Sequence, residues 1–267
     1  MVSFKLRKTS VLIVVLVLSA AAALGIAAGC GGNDGGASTE MPKFTYAASG
    51  GYPPFSMMQG GKLTGFDIEL GELLAKKMGM TADPVTNPFE TIIEGLNAKK
   101  YDAVIGSLAI TPERQQVVDF TIPYYTSGAQ LYVAQDNTTI AGQNDLAGAV
   151  VGTTKASTYL ALAQKLVGKK NAIGYDADTI ALQDLLTGRV DAAITDQVVG
   201  GLAIKKGLAI KAVGEPMETT DQAIAVRKDE PELLAKLNKA LEEAKADGSY
   251  KALSEKWLGQ VLLTGVK

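Results

Sequence analysis

From Lys43 onward, short runs of apolar and β-branched residues alternate with amphipathic stretches long enough to be helices. KFTYAA reads as a strand, FDIELGELLAKKM as a helix, and FETIIEGLNAKK as a second helix leading into the strand DAVIG. The second half repeats the scheme with AVVGT, STYLALAQKL, NAIGY, DTIALQDLLTG, VDAAIT and QVVGGLAIKK. Such alternation predicts an α/β fold with largely parallel sheets. The halves also echo each other locally: Leu96, Lys100, Asp102, Ala103 and Ile105 match Leu185, Arg189, Asp191, Ala192 and Ile194 at the same spacing. Either a duplicated design or the ordinary grammar of a helix-to-strand connection accounts for that match.

The first 40 residues follow another pattern. Lys5, Arg7 and Lys8 precede the uncharged run Val11 to Ala28, which ends in Ala27-Ala28-Gly29-Cys30. Residues 1–29 read as an export signal; an uncleaved membrane anchor is the alternative, because the run is almost long enough to span a bilayer. Small residues followed by the chain's only cysteine resemble the bacterial lipoprotein signal, with Ala27 where a leucine is usual. The expectation is cleavage before Cys30, lipid attachment to its thiol, and an extracytoplasmic protein anchored to the cell membrane. Residues 30–40 include GGNDGGASTE, a Gly-rich tether reaching roughly 18 Å. The folded part then begins near Met41, and 267 residues suit two lobes of about 100 each. With no second cysteine, each lobe needs its own apolar core.

Charge narrows the partners. The formal net charge is -2, from 26 basic and 28 acidic residues, and no basic stripe interleaved with aromatics occurs, so nucleic acid is not expected. Histidine is absent, which removes the most frequent general base and the commonest transition-metal ligand together. Neither a Walker phosphate loop nor a GxGxxG turn is present, and no cofactor or metal is expected.

In open α/β sheets, ligands bind beyond the carboxyl ends of the strands. Gly106, Ser107 and Ala109 occupy that place in one half, Thr195 and Asp196 in the other. Just beyond the first group, Thr111 can cap a helix and Pro112 suits its first position, which puts Arg114 third. A cation there opposes the helix dipole unless it meets an anion. Free N–H groups and a guanidinium fork make a carboxylate receptor; pairing with Glu113 or Asp119 is the plainer use. Asp196 either caps the following helix or supplies the opposite charge. An Arg from one lobe and an Asp from the other would bracket a zwitterion such as an α-amino acid. Tyr52, in the GGYPPF turn, and Phe89, at a helix start after Pro88, lie at the same sheet edge.

These residues carry a family resemblance. YPPF followed by GFDIEL, then YDAVIGSLAITPERQQVVDFTIPYY, VDAAITD and GSYKALSEKWLG resemble the polar amino-acid branch of the bacterial extracellular solute-binding proteins, family 3, from about Lys43 to Leu258. The resemblance implies a two-lobed periplasmic-binding-protein-like fold of type II. Lobe 1 would comprise residues 41–130 plus 224–267 and lobe 2 residues 131–223, with a hinge near Gln130 to Ala134 and Ala223 to Arg227. Arg114 would hold the ligand carboxylate, helped by backbone near Ala109 and Thr158. Asp196 and the Gly106 carbonyl would hold the ammonium, and Tyr52 and Phe89 would sandwich the side chain. Ala109 stands where the family usually places a hydroxyl; Thr195 or Ser107 could compensate. Ser49 stands where relatives taking cationic amino acids often carry an acid. With Thr154 and Thr195 nearby, a neutral polar ligand such as glutamine is expected.

The function implied is that of a monomeric receptor handing an amino acid to the permease of an ATP-driven importer. Two alternatives share the fold. A cyclohexadienyl or arogenate dehydratase needs a general acid in an apolar cleft, for which Glu90 is the candidate. A sensory module needs a route to a membrane partner, and no apolar span follows the last helix before Lys267.

Overall fold

Residues 41–262 are described in the computed structural model of this protein. The export signal, the tether and Cys30 lie outside the described residues. Strand β1 (Lys43–Ala48) is followed by the short strands β2 (Gly51–Tyr52), β3 (Ser56–Gln59) and β4 (Lys62–Thr64). Next come α1 (Phe66–Lys77), β5 (Thr81–Thr86), α2 (Ile92–Asn97), β6 (Ala103–Ala109), α3 (Pro112–Gln115) and β7 (Asp119–Phe120). The long β8 (Tyr125–Ala134) leads to β9 (Val151–Thr154), α4 (Thr158–Val167), β10 (Ala172–Tyr175), α5 (Asp178–Leu186) and β11 (Ala192–Asp196). After α6 (Gln197–Lys205) and β12 (Ile210–Val213), β13 (Thr219–Val226) runs back to α7 (Pro231–Ala246) and α8 (Ser249–Leu258).

Two sheet halves result. In the first, β1 lies parallel between β5 and β6, and β13 joins antiparallel to β6. In the second, β9 lies parallel between β10 and β11, and β8 joins antiparallel to β11. Residues Tyr125 to Gly128 of β8 pair with Thr219 to Gln222 of β13, which makes the strand order continuous from β10 to β5. The sheet is therefore mixed where the sequence pattern predicts largely parallel strands. The difference comes from β8 and β13, which cross between the halves against the direction of their neighbours.

Each half has an apolar core. Phe44, Phe66, Ile68, Leu70 and Leu74 pack with Leu237, Leu241 and Tyr250 of α7 and α8, while Leu131, Val133, Val151, Leu162 and Ile194 pack in the other half. The repeated motif has a physical basis. Asp102 Oδ2 accepts the Thr45 N–H at 2.9 Å while the Asp102 N–H donates to the Thr45 carbonyl. Asp191 makes the same pair of bonds with Val150. In each half the aspartate clamps an incoming strand to the first strand beside it.

A second correspondence involves glycines under tyrosines. Tyr46 donates to the Ile68 carbonyl of α1 and Tyr132 to the Gln197 carbonyl of α6, so each ring lies flat under a helix. A Cβ at Gly71 would come within 2.2 Å of the Tyr46 ring, and one at Gly200 within 2.0 Å of the Tyr132 ring. Overfilling a packed core costs about 1–3 kcal/mol. Gly71→Ala should therefore lower the thermal midpoint by several degrees, whereas Gly201→Ala, whose Cβ would meet nothing inside α6, should hold or raise it.

Candidate functional site

A narrow cavity opens between the two halves at the carboxyl ends of β1, β6, β9 and β10. Ser49, Gly51, Tyr52, Phe89, Gly106, Ser107, Ala109 and Arg114 line one side. Thr154, Ser157, Thr158, Tyr159, Asp176, Ala177 and Asp178 line the other, with Gln222 of β13 between them.

Arg114 is placed by its short helix. Thr111 Oγ1 accepts the Arg114 N–H, and Pro112 opens the first turn. The guanidinium then reaches back: Nη1 donates to the Ala109 carbonyl at 2.7 Å and Nη2 to the Ala156 carbonyl of the opposite half at 3.1 Å. Its carbon stands 5.7 Å from the centre of the Phe89 ring, within reach of a cation–π attraction. No ion pair with Glu113 or Asp119 forms among the described residues; Asp119 pairs with Lys228 at 3.0 Å instead. Burial pushes the Arg114 guanidinium down to about 10, so it remains cationic at neutral pH. Its charge is oriented by carbonyls and only eased by the neighbouring Glu113, with no direct ion pair among the described residues, which leaves the guanidinium able to take an anion.

The facing carboxylate belongs to Asp178, a residue the sequence reading passes over. Asp178 opens α5 and is buried; Oδ1 accepts the Thr195 hydroxyl and Oδ2 the Thr154 hydroxyl, both at 2.5 Å. Burial raises its pKa, and the two hydroxyl bonds oppose the rise. Thr195 and Asp196, singled out from the sequence, do not line the cavity. Thr195 is spent on Asp178. Asp196 is fully buried at the start of α6, accepting from Ser127 Oγ at 2.8 Å, Tyr159 Oη at 3.1 Å and the Val198 N–H at 2.7 Å. It caps a helix and ties β8 to α4, and burial pushes it up to about 6. The signal that finds Asp178 is available in the sequence, since Asp178 follows the carboxyl end of strand NAIGY at a helix start. The same rule that selects Asp196 selects it equally.

Ser107 lines the cavity with its backbone in the left-handed region, at φ 53°. Its N–H donates to Tyr124 Oη, its Oγ donates to Asp67 Oδ2, and Tyr124 Oη donates to Asp67 Oδ1, each at 2.9 Å. A residue without a Cβ would reach this conformation more easily, and here the closed triangle of bonds holds it. Burial pushes Asp67 up to about 7. A carboxyl with a raised folded pKa stabilises the protonated native state, so this contribution is present at low pH and lost as pH rises through 7. The Asp196 shift has the same sign. Thermal stability should therefore rise as pH is lowered from 8 to 5, and Asp67→Asn should flatten that profile.

The other expected residues occupy varied places. Ser49, Tyr52, Phe89, Gly106, Ala109, Thr154 and Thr158 all line the cavity. Tyr52 stacks on Phe55 at 5.4 Å, which fixes its ring plane. Glu90 is exposed and outside the lining, and so lacks the apolar enclosure that a cleft acid requires. Asp176 also lines the cavity and is paired with Lys155 at 2.8 Å. Among the described residues no group of three or more acidic or cysteine side chains could hold a metal ion.

The bacterial extracellular solute-binding proteins, family 3, match residues 44–260. A probable amino-acid-binding protein of Bacillus subtilis, YxeM, is 35% identical over 261 residues, covering 96% of this chain and 97% of that one. The L-cystine-binding protein TcyJ of Escherichia coli is 37% identical over 213 residues, covering 79% and 80%. The solved structure of an ancestral arginine-binding protein bound to glutamine superposes with a TM-score of 0.77 at 38% identity, covering 82% of this chain and all of that one (100%). Its two-lobed relatives, a match across most of the chain and a cavity at the strand ends where the halves meet agree: this chain belongs to the bacterial extracellular solute-binding proteins, family 3.

Proposed function

We propose that this protein captures a zwitterionic α-amino acid between its lobes and delivers it to the permease of an ATP-driven importer. One observation carries the reading. Arg114 and Asp178, opposite in charge and each held by its own hydrogen bonds, line the same cavity from the two halves without pairing with each other. Arg114 takes the ligand carboxylate, and Asp178 takes the ammonium in the role that the sequence pattern gave to Asp196. Gly106 offers its carbonyl, Thr158 its N–H at the start of α4, and Tyr52 and Phe89 flank the ligand side chain.

The ligand is a neutral polar amino acid. Asp176 is paired with Lys155, and the walls around it include Ser49, Thr154, Ser157 and three aromatic rings, those of Tyr52, Phe89 and Tyr159. Glutamine meets that description; a cationic side chain would find no unpaired carboxylate in the cavity wall beyond the one its ammonium uses.

Binding, without catalysis, is sufficient. Lobes of residues 41–130 with 224–267 and of 131–223 open about β8 and β13 where those strands cross. Ligand touching both lobes favours the closed form because only there are both sets of contacts made. The closed pair presents one joined surface to the permease. Lipid on Cys30, after removal of residues 1–29, keeps the monomeric receptor at the outer face of the membrane. One acyl chain anchors only marginally, so more than one is required.

A thermal-shift screen against the twenty amino acids, cystine, prephenate and arogenate tests this reading. Ligand at 100 times its dissociation constant adds about 2.7 kcal/mol of stability. A shift with one or a few neutral amino acids is expected. Silence across all amino acids, or turnover of prephenate or arogenate, would overturn it.

A further inference from the structure

Among the residues lining the cavity, Gln222 has an unusual state. Its amide Nε2 donates to Thr220 Oγ1 at 2.9 Å, while its Oε1 is fully buried and without a hydrogen-bond partner. Buried polar atoms are nearly always satisfied, and one left unmade at a cavity wall points to a group that arrives later. Gln222 sits on β13 directly opposite Ala109 on β6 and opposite Tyr125 on β8. Cross-strand partners point to the same face of a sheet, so the amide and the short Ala109 side chain share one face of it. Ala109 brings only a methyl to that wall, which leaves room for the amide and no competing polar group.

We propose that Gln222 is a specificity-determining residue whose Oε1 accepts an N–H from the ammonium of the bound amino acid. The inference rests on the amino-acid receptor reading and adds a third acceptor to it, after the Asp178 carboxylate and the Gly106 carbonyl. It also accounts for a binding site that has Ala109 in place of a hydroxyl. An ammonium has three N–H donors, and three acceptors from three different elements, α5, β6 and β13, would fix its direction. Ligands with fewer donors at that nitrogen, such as N-methyl amino acids with two, would leave one of the three acceptors without a donor and be discriminated against.

Titration calorimetry of the purified protein with the amino acid that stabilises it most, and with its N-methyl derivative, tests the proposal in three forms of the protein. Gln222→Met keeps the length and removes the acceptor; Gln222→Glu keeps an acceptor. In the wild type the parent amino acid should bind at least tenfold more tightly than the N-methyl derivative, as expected for a hydrogen bond to a charged group. Gln222→Met should lose at least tenfold for the parent while unfolding, without ligand, at the wild-type temperature or above, since an unsatisfied atom is gone. Gln222→Glu should retain the parent within a few-fold.

A purely structural amide predicts the reverse: a lower unfolding temperature for Gln222→Met and unchanged affinity. That result, or a Gln222→Glu variant that binds more weakly than Gln222→Met, would overturn the proposal while leaving the receptor reading intact. Failure of the wild type to bind any amino acid would overturn both.

Discussion

Replacing Arg114 by alanine should weaken amino-acid binding by at least thirtyfold and by up to several thousandfold. The estimate follows from the cost of removing one member of a desolvated, hydrogen-bonded charge pair, about 2–5 kcal/mol, much of which is the penalty on the ligand carboxylate left without a partner. The guanidinium is held by the Ala109 and Ala156 carbonyls and lies over Phe89, so its fork is already aimed before ligand arrives. Arg114→Lys should fall between, because an ammonium keeps the charge and loses the bidentate geometry. The half-buried position implies little change in stability without ligand. Calorimetry of the three proteins separates these outcomes. Undiminished affinity in Arg114→Ala would remove the carboxylate site from the account.

The second large effect distinguishes two buried carboxylates. Asp178→Asn should cost thirtyfold or more in affinity, since the ligand ammonium then meets a neutral amide, while stability without ligand should hold because a desolvated charge has been removed. Asp196→Ala should behave in the opposite way, because alanine removes the helix cap that asparagine would keep. Asp196 faces Ser127, Tyr159 and the first turn of α6 rather than the cavity, so weakening it should lower stability by about 1 kcal/mol, as for a disturbed helix cap, and change affinity little. Calorimetry with thermal unfolding reads both. If the affinity loss followed Asp196 instead, the sequence assignment would stand and the geometric one would fall.

These two aspartates show what the sequence can and cannot convey. Both stand where a strand ends and a helix begins, and nothing in their neighbours' identities tells which carboxylate faces a cavity. The answer depends on how β10 and β11 are placed about β9, a tertiary relation that local pattern does not encode. Elements with strong periodicity are legible: KFTYAA is β1 to the residue, and α4, α5 and α6 fall within two residues of their patterns. The capped start that sets Arg114 is equally plain in Thr111 and Pro112.

Long-range strand crossings are another matter. YTSGAQLYVA and TTDQAIAV form β8 and β13, yet each mixes polar and apolar residues without clear alternation because each passes from one half to the other. Gln222 belongs to one of these strands, which is why its place in the cavity is invisible before the pairing is known. Ser107 in its left-handed backbone is likewise illegible, since the bonds from Tyr124 and Asp67 that hold it come from 17 and 40 residues away.

If one cavity recognises both ends of a zwitterion, each end of the ligand should be separately necessary. Calorimetry of the wild-type protein with its best amino acid, with the analogue lacking the ammonium, and with the analogue lacking the carboxylate tests it most directly. Each analogue should bind at least a hundredfold more weakly than the parent, because each leaves one of Arg114 and Asp178 facing an empty contact. An analogue that binds as tightly as the parent would contradict it.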